Sequence, residues 1–434
     1  MPDNPSIQLP PQPQLVAETK LPFTFITDLV LKTLYFASEL TGAEIASRTC
    51  LAWAIVEDAI KFLADEGYAK SLGMESGRAP DTSFAERLRY GITQAGRERS
   101  RELLQVSQYA GPAPVALDVY VTVVGFQARH NPPVPRGALQ NTLNDLVLPT
   151  GLLDSLGPGL NARQPIFLYG PPGNGKSSIA MACGKLLGGP VFIPHAIYIH
   201  GEVVRLLDPT HHRPIAFETS KLYDRRWVLC ERPRIGVGGE LTVSSLELSF
   251  DQHLGFYEAP LQLKANGGML LIDDFGRQQI KPAELLNRLI VPLESGFDFL
   301  NVARAGTTVK VPFSEILMLS TNLDPKDLMD DAFLRRVHYK VPVPNASPDA
   351  YKMIFERVCS SLQIPYAPAA VDYLIKNHYE PSGRQLHGCD PRDLLMHLKS
   401  VAAYMGMPAR LTPDLIDQAA RTYFANLGAS AGVA

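Results

Sequence analysis

The stretch GPPGNGKSS, Gly170 to Ser178, decides how the rest of the chain is read. Its three glycines and two prolines exclude an ordinary helix or strand. PIFLYG (165–170) precedes it as an apolar run of strand length, and SSIAMACGKLL (177–187) follows with apolar residues at helical spacing. The order strand, glycine loop, helix gives the G-x-x-x-x-G-K-[ST] spacing from Gly170 to Ser177 its physical meaning as a phosphate cradle. Gly173 and Gly175 let backbone N–H groups curl round an anion with no Cβ in the way. A helix beginning near Lys176 points its positive end at the same spot. Lys176 adds a full charge for the β/γ-phosphates, and Ser177 offers an oxygen to Mg²⁺. Pro172, Asn174 and Ser178 complete the loop that would bind a nucleotide.

A chain of 434 residues accommodates roughly two to four domains. Its composition is that of a soluble globular protein, with 46% hydrophobic and 20% charged residues. A net charge of −3 supplies no general attraction to nucleic acid or acidic membranes. Cys50, Cys183, Cys230, Cys359 and Cys389 are scattered with no C-x-x-C, the usage of reduced cytosolic thiols. No apolar run reaches membrane-spanning length, and the N-terminus has neither a basic region nor an apolar core, so no signal peptide or membrane insertion is expected. A cytoplasmic location follows as the expectation.

Six segments are expected. Residues 1–20, rich in proline and glutamine, read as a disordered lead-in. Residues 21–110 read as three amphipathic helices, two short strands and a closing helix, a winged-helix-like α+β domain. Thr41 and Glu44 have the spacing of a capping box. Residues 111–142 read as a Pro-rich linker. Residues 143–345 alternate apolar strands with helices, which implies a buried parallel sheet, an α/β domain. Its strand candidates are PIFLYG, PVFIPHAIYI (190–199), MLLIDD (269–274) and EILMLSTN (315–322). Residues 346–427 are almost entirely helical in pattern, and 428–434 form a tail.

The strand at Met269 ends in Asp273 and Asp274. Carboxylates at the C-terminal end of a buried parallel strand lie beside the phosphate loop. Asp273 is expected to hold Mg²⁺, and Asp274 to orient and polarise an attacking water. The next strand ends at Asn322, placed to bond that water or the γ-phosphate. Arg335 and Arg336 follow a short helix, where one of them, with Arg336 slightly favoured, could stabilise transition-state charge on a neighbouring subunit's nucleotide. Arg392 opens a later helix, with Asp390 expected as its N-cap and Pro391 at its first position.

In this order, these motifs resemble the AAA+ ATPases. GPPGNGKS is similar to the family's Walker A, LLIDD to its Walker B, STN to sensor 1, LRR to its arginine finger and PRD to sensor 2. The resemblance spans about residues 143–427. It implies a five-stranded P-loop parallel sheet, a C-terminal helical lid, ATP and Mg²⁺ at a subunit interface, and a homo-oligomer, usually a hexameric ring. Most members carry Asp-Glu where this chain has Asp273-Asp274. The segment before Met269 is longer than a minimal core needs, and ELTVSSLELSF (240–250) alternates apolar and polar residues. That resembles the helix-2 insert of the MoxR-like chaperone ATPases and the σ54 activators, in which a hairpin projects toward the ring's pore. His195, His200, His211 and His212 lack ligand spacing, so no zinc is expected.

The leading expectation is therefore an ATP-hydrolysing, chaperone-like remodelling machine acting on a protein client. The alternatives are a DNA-acting regulator or loader, and a nucleotide-gated scaffold with little hydrolysis. Nucleic acid is the disfavoured partner. Residues 21–110 carry ten Lys and Arg against twelve Asp and Glu, and the helix at Trp53 sets Lys61 against Glu57, Asp58, Asp65 and Glu66. Such a helix would repel the phosphates it must approach.

Overall fold

In the computed structural model, which describes residues 10–74, 87–216, 223–328 and 331–424, five short parallel strands form the core. They are β1 (Ile166–Tyr169), β2 (Arg234–Val237), β3 (Met269–Ile272), β4 (Ile316–Thr321) and β5 (Tyr339–Pro342), in the order β2-β3-β4-β1-β5. The central strands read as continuous apolar runs because both faces are covered. Ile166, Leu168, Leu271 and Met318 pack on one side with the helix Lys176–Lys185. Phe167, Leu270, Ile272, Leu317 and Leu319 pack on the other with the helix Pro282–Ser295. The period of two along each strand thus feeds two cores. This is the α/β parallel sheet expected, and the helices Pro348–Leu362, Pro368–Leu374, Asp390–Tyr404 and Pro413–Tyr423 form the expected C-terminal helical domain.

One strand was misread. PVFIPHAIYI does not enter the parallel sheet. It divides at His195, whose N–H donates to Arg226 O at 3.0 Å and whose carbonyl accepts from Leu206 N at 3.0 Å. Val191–Pro194 pairs antiparallel with Trp227–Cys230, while Ala196–Ile199 pairs antiparallel with Glu202–Arg205. The true second strand, β2, lies at the sheet edge beside β3. Of its four residues only Ile235 is buried, so it leaves no apolar run to find.

The residues between the helix Lys176–Lys185 and β3 build much of a second unit. Its sheet runs Ser249–Asp251, Phe256–Glu258, Glu202–Arg205, Ala196–Ile199, Val115–Ala116. Its core gathers Tyr120, Trp227 and Tyr257, and it takes in Leu300, Val302, Val309 and Val311 from the hairpin Phe297–Val302/Thr307–Pro312. ELTVSSLELSF is not one strand. Val243–Leu246 is a 3₁₀ turn, and the strand that follows is only Ser249–Asp251. The hairpin it enters is packed rather than free, with Tyr257 buried beneath Phe250.

Residues 111–142, expected as a linker, are structured. They supply the strand Val115–Ala116 to this sheet and the helices Leu117–Arg129 and Arg136–Thr142. Their prolines flank these elements, and the helix Leu117–Arg129 buries Tyr120 and Val124. The disordered lead-in is corrected from Pro10 onward. Pro10 O accepts from Asp224 N at 2.8 Å, and Thr19 is buried in a helical turn Val16–Thr19. Asp224 in turn forms a buried ion pair with Arg226 at 2.7 Å, and Arg226 donates to Pro114 O. A buried pair of this kind persists only when its remaining polar atoms are satisfied. Residues 1–9 and the tail 428–434 lie outside the described residues.

The N-terminal domain packs the helices Phe23–Ala37, Gly42–Thr49 and Trp53–Asp65 against the antiparallel strands Glu39–Thr41, Leu88–Ile92 and Ala69–Met74. The capping box is present: Glu44 N donates to Thr41 Oγ1 at 3.2 Å, and Thr41 N to Glu44 Oε2 at 2.7 Å. This domain shares one core with the inserted unit through Ala196, Val203 and Phe256. Among the described residues, no helix is long and apolar enough to cross a membrane.

Glu315, just before β4, is buried with both carboxylate oxygens closed to solvent. Burial pushes its carboxyl well above the ordinary range. The unfolded chain ionises this group near pH 4.5 and the folded chain does not, so its contribution to stability is complete below that pH and is lost as pH rises. Glu315→Gln is therefore expected to raise the melting temperature more at about pH 8 than at about pH 5. Thermal unfolding at the two pH values checks this; an equal change at both, or a larger one at low pH, would refute it.

Candidate functional site

The loop after β1 is shaped by glycine backbone. Gly170, Gly173 and Gly175 have φ of 136°, 76° and 79°, and an ideal Cβ on Gly170 would fall 2.4 Å from Val343 O. The helix Lys176–Lys185 starts from Gly175, and no side chain caps its first N–H groups. Uncapped N–H groups at a helix N-terminus form a ready anion site. Lys176 is buried, and its ammonium donates to Gly170 O at 2.8 Å and Pro171 O at 2.7 Å. Burial draws its pKa below the ordinary lysine value, while the Asp274 and Asp273 carboxylates oppose the shift. Ser177 is half-buried in the first helical turn, and Pro172 and Ser178 are exposed beside it.

The acids at the end of β3 are held firmly. Asp273 Oδ1 accepts from the Ser320 hydroxyl of β4 and, at 3.1 Å, from Asp274 N. Gln278 Nε2 donates to Asp273 O at 2.8 Å and Asp274 O at 3.2 Å, tying down the turn from below. Asp274 has φ 48°, a region that Asp and Asn tolerate better than other non-glycine residues and that recurs at functional positions. Asn322 Nδ2 donates to Asp274 Oδ1 at 2.8 Å. The parallel register that aligns Ile272 with Leu319 brings these two strand ends together. Lys176, Asp273, Asp274 and Asn322 are thus gathered at the C-terminal ends of β1, β3 and β4.

The arginines lie elsewhere. Arg336 Nε donates to Glu294 Oε1 at 2.5 Å within the chain, whereas its neighbour Arg335 is exposed. Arg392 is 77% exposed, and its ion-pair contact is Asp393 at 3.5 Å. Asp390 is not the N-cap of its helix. That position belongs to Cys389, which makes no side-chain cap bond, so the helix begins one residue earlier than expected. The Asp390 carboxylate turns inward instead and accepts from Tyr379 and Tyr423 hydroxyls at 2.8 Å each.

Sequence reasoning missed several participants. Ser320 lies inside the quoted STN motif, and its hydroxyl next to Asn322 was the available signal. Gln278 left none. Nor did the contact of the helical domain with the phosphate loop: Cys389 N donates to Gly173 O at 2.8 Å, Gly388 N to Asn174 Oδ1 at 2.9 Å, and Asn174 Nδ2 to Asn345 Oδ1 at 2.8 Å. His212 serves the fold. His212 Nδ1 accepts from Asp208 N and so its Nε2–H donates to Lys264 O, both at 2.9 Å. Among the described residues, no group of three or more His, Cys, Asp or Glu is arranged to hold a metal ion by itself.

Residues 347–422, most of the helical domain, match a family described only as a domain of unknown function (DUF8689). No curated protein matches the chain. Among solved structures it is similar to NtrX from Brucella abortus in complex with ATP, at 14% identity and a TM-score of 0.40, over 77% of this chain and 64% of that one. The ADP complex of NtrX aligns at 15% identity and a TM-score of 0.39, over 64% of this chain and 56% of NtrX, so the chain spans little more than half of that protein. A mutant of Thermotoga maritima RuvB aligns at 13% identity and a TM-score of 0.37, over 68% and 72% of the two chains. At such TM-scores these likenesses carry no functional weight.

Proposed function

We propose that the chain is an AAA+-type ATPase that hydrolyses Mg²⁺-ATP and acts on a protein partner. The observation that carries this reading is the hydrogen bond from Asn322 to Asp274 at the strand ends that flank the phosphate loop. The residues suit the nucleotide and its ion. An uncapped helix and the left-handed Gly173 and Gly175 suit a polyphosphate, and Ser177 with Asp273 offers the hard oxygen donors that Mg²⁺ takes. Bound Mg²⁺ would neutralise charge developing on the phosphates. Lys176, which here donates to two backbone carbonyls, would give those bonds to phosphate oxygens. Asp274, held at its Oδ1 by Asn322, orients a water and accepts its proton. Ser320 fixes one oxygen of Asp273, and the other would be available to hold the ion.

The finer parts of the reading rest on particular features. The N-terminal helices and strands have the order of a winged helix, and the helix Trp53–Asp65 exposes Asp58, Phe62 and Asp65, while Lys61 is paired with Glu57 at 3.0 Å. That surface favours a protein over a phosphate backbone. The inserted unit, read as a relative of the helix-2 insert, shares its core with this domain, so it serves as the arm that carries motion outward from the ATPase. Residues 21–110 are the adaptor, 143–345 the ATPase and 346–427 its lid.

Arg335 is the better trans-acting residue in a homo-oligomeric, hexameric ring, because Glu294 already engages Arg336 within the chain. Arg335→Ala and Lys176→Ala are each expected to be inactive alone and to regain turnover when mixed, since each supplies what the other lacks. Failure to recover activity in confirmed mixed oligomers refutes a shared site. The same assay with duplex DNA tests the partner: turnover stimulated severalfold by DNA would promote the DNA-acting alternative.

A further inference from the structure

The helical domain contains a buried polar cluster that no catalytic role uses. Asp390 is 4% exposed, and its carboxylate accepts from Tyr379 and Tyr423 hydroxyls at 2.8 Å and from His387 N at 3.3 Å. Tyr379 and Tyr351 hydroxyls lie 2.9 Å apart. Three of the domain's helical segments therefore meet in this cluster, two of them directly on the carboxylate and the third through the Tyr379 hydroxyl. Tyr351 comes from Pro348–Leu362, Tyr379 from the π turn Ile375–Tyr379, and Tyr423 from Pro413–Tyr423. Burial pushes the Tyr379 and Tyr423 phenols far above their ordinary values, so both stay protonated donors.

The residues immediately before Asp390 lie on the phosphate loop. Gly388 and Cys389 donate their backbone N–H groups to Asn174 Oδ1 and Gly173 O, as described above. The fit is close: an ideal Cβ on Gly173 would fall 2.6 Å from Cys389 Sγ. On the other flank, Ala346 N donates to Leu386 O at 3.0 Å, and Asn345 binds Asn174. The loop Leu386–Cys389 is thus held on one side by the phosphate loop and on the other by the aspartate–tyrosine cluster.

We propose that Asp390, with Tyr379 and Tyr423, is a positioning residue that holds the loop Leu386–Cys389 against Gly173 and Asn174 and so pre-shapes the phosphate loop for nucleotide. The inference rests on the nucleotide-site reading only for its affinity arm. Without its carboxylate, the buried Tyr379 hydroxyl, the half-buried Tyr423 hydroxyl and the His387 amide lose their acceptor, and the loop that grips the cradle loses its anchor. Asp390 does not touch the nucleotide site; it acts through the two backbone N–H groups that follow His387.

The test uses the full chain and two readouts well below its melting temperature. The first is hydrogen exchange of segments 170–178 and 386–390 without nucleotide. The second is affinity for a fluorescent ATP analogue. Asp390→Asn is expected to speed exchange in both segments together and to weaken the analogue about tenfold, the cost of one buried charge-assisted hydrogen bond. Tyr423→Phe and Tyr379→Phe, which each remove one hydroxyl, are expected to give smaller changes of the same kind and keep the test valid if Asp390→Asn does not fold. Lys399→Ala, at an exposed position later in the same helix, leaves the cluster intact and is expected to leave exchange and affinity unchanged. Faster exchange confined to 386–390, or lower melting temperature with unchanged exchange and affinity at the phosphate loop, overturns the proposal. A wild-type chain that fails to bind the analogue would defeat the nucleotide reading, while the exchange arm would still decide this one.

Discussion

Lys176→Ala is expected to weaken ATP binding by about 100-fold while leaving the chain folded. The loop 170–178 contains no other basic residue, so its fixed positive charge resides in this one side chain. Here Lys176 makes two bonds, to Gly170 O and Pro171 O, and these are the donors released to a polyphosphate. Two charge-assisted hydrogen bonds at roughly 1.5 kcal/mol each amount to a loss on the order of 100-fold in affinity. The carbonyls left behind stay within reach of water, so the cost in folding stability is small by comparison. A titration with a fluorescent ATP analogue, accompanied by a melting curve, checks both halves. Binding within a few-fold of wild type would mean that the loop does not hold phosphate.

Asp274→Asn should leave nucleotide bound and hydrolysis slower by about 10²-fold or more, the usual worth of a positioned general base. The substitution is well suited to the backbone, because Asn accepts the left-handed φ of 48° as readily as Asp. It also keeps an oxygen for the Asn322 amide, which lies 2.8 Å from Asp274 Oδ1. Geometry is preserved while charge and basicity are removed. The second aspartate is one methylene shorter than the glutamate usual at this place in the family that the motifs resemble, so the wild-type rate itself is expected to be modest. A mutant that hydrolyses ATP as fast as wild type would show that the catalytic carboxylate is another residue.

What was legible in the sequence, and what was not, follows from what each element had to bury. β1, β3 and β4 lie in the middle of the sheet with both faces covered, so PIFLYG, MLLIDD and EILMLSTN were plain apolar runs. β2 is an edge strand with one buried residue, Ile235, and was masked by a more hydrophobic neighbour. That neighbour, PVFIPHAIYI, is apolar because it serves two other sheets at once. The site's charged residues could be named because their spacing on strand–loop–helix units is short-range. The contacts of Gln278, Asn345 and Cys389 join positions far apart in the chain or depend on a turn's local geometry, and no local pattern encodes them. Asp390 illustrates the ambiguity well: Asp before Pro at a helix start reads as a cap, yet the two tyrosines that claim its carboxylate, Tyr379 and Tyr423, lie 11 and 33 residues away. The linker failed for a related reason. Prolines mark the ends of its helices, and composition alone does not separate a flanked helix from an extended bridge.

The most direct test of the central claim is phosphate release from ATP by the purified full chain, with Mg²⁺ and with chelator, beside the Asp274→Asn variant and with bound nucleotide measured in parallel. The account predicts turnover that requires Mg²⁺ and that falls about 10²-fold in the variant although the variant still holds ATP. Wild-type protein that binds ATP but releases phosphate no faster than Asp274→Asn would contradict it and leave a nucleotide-gated scaffold in its place.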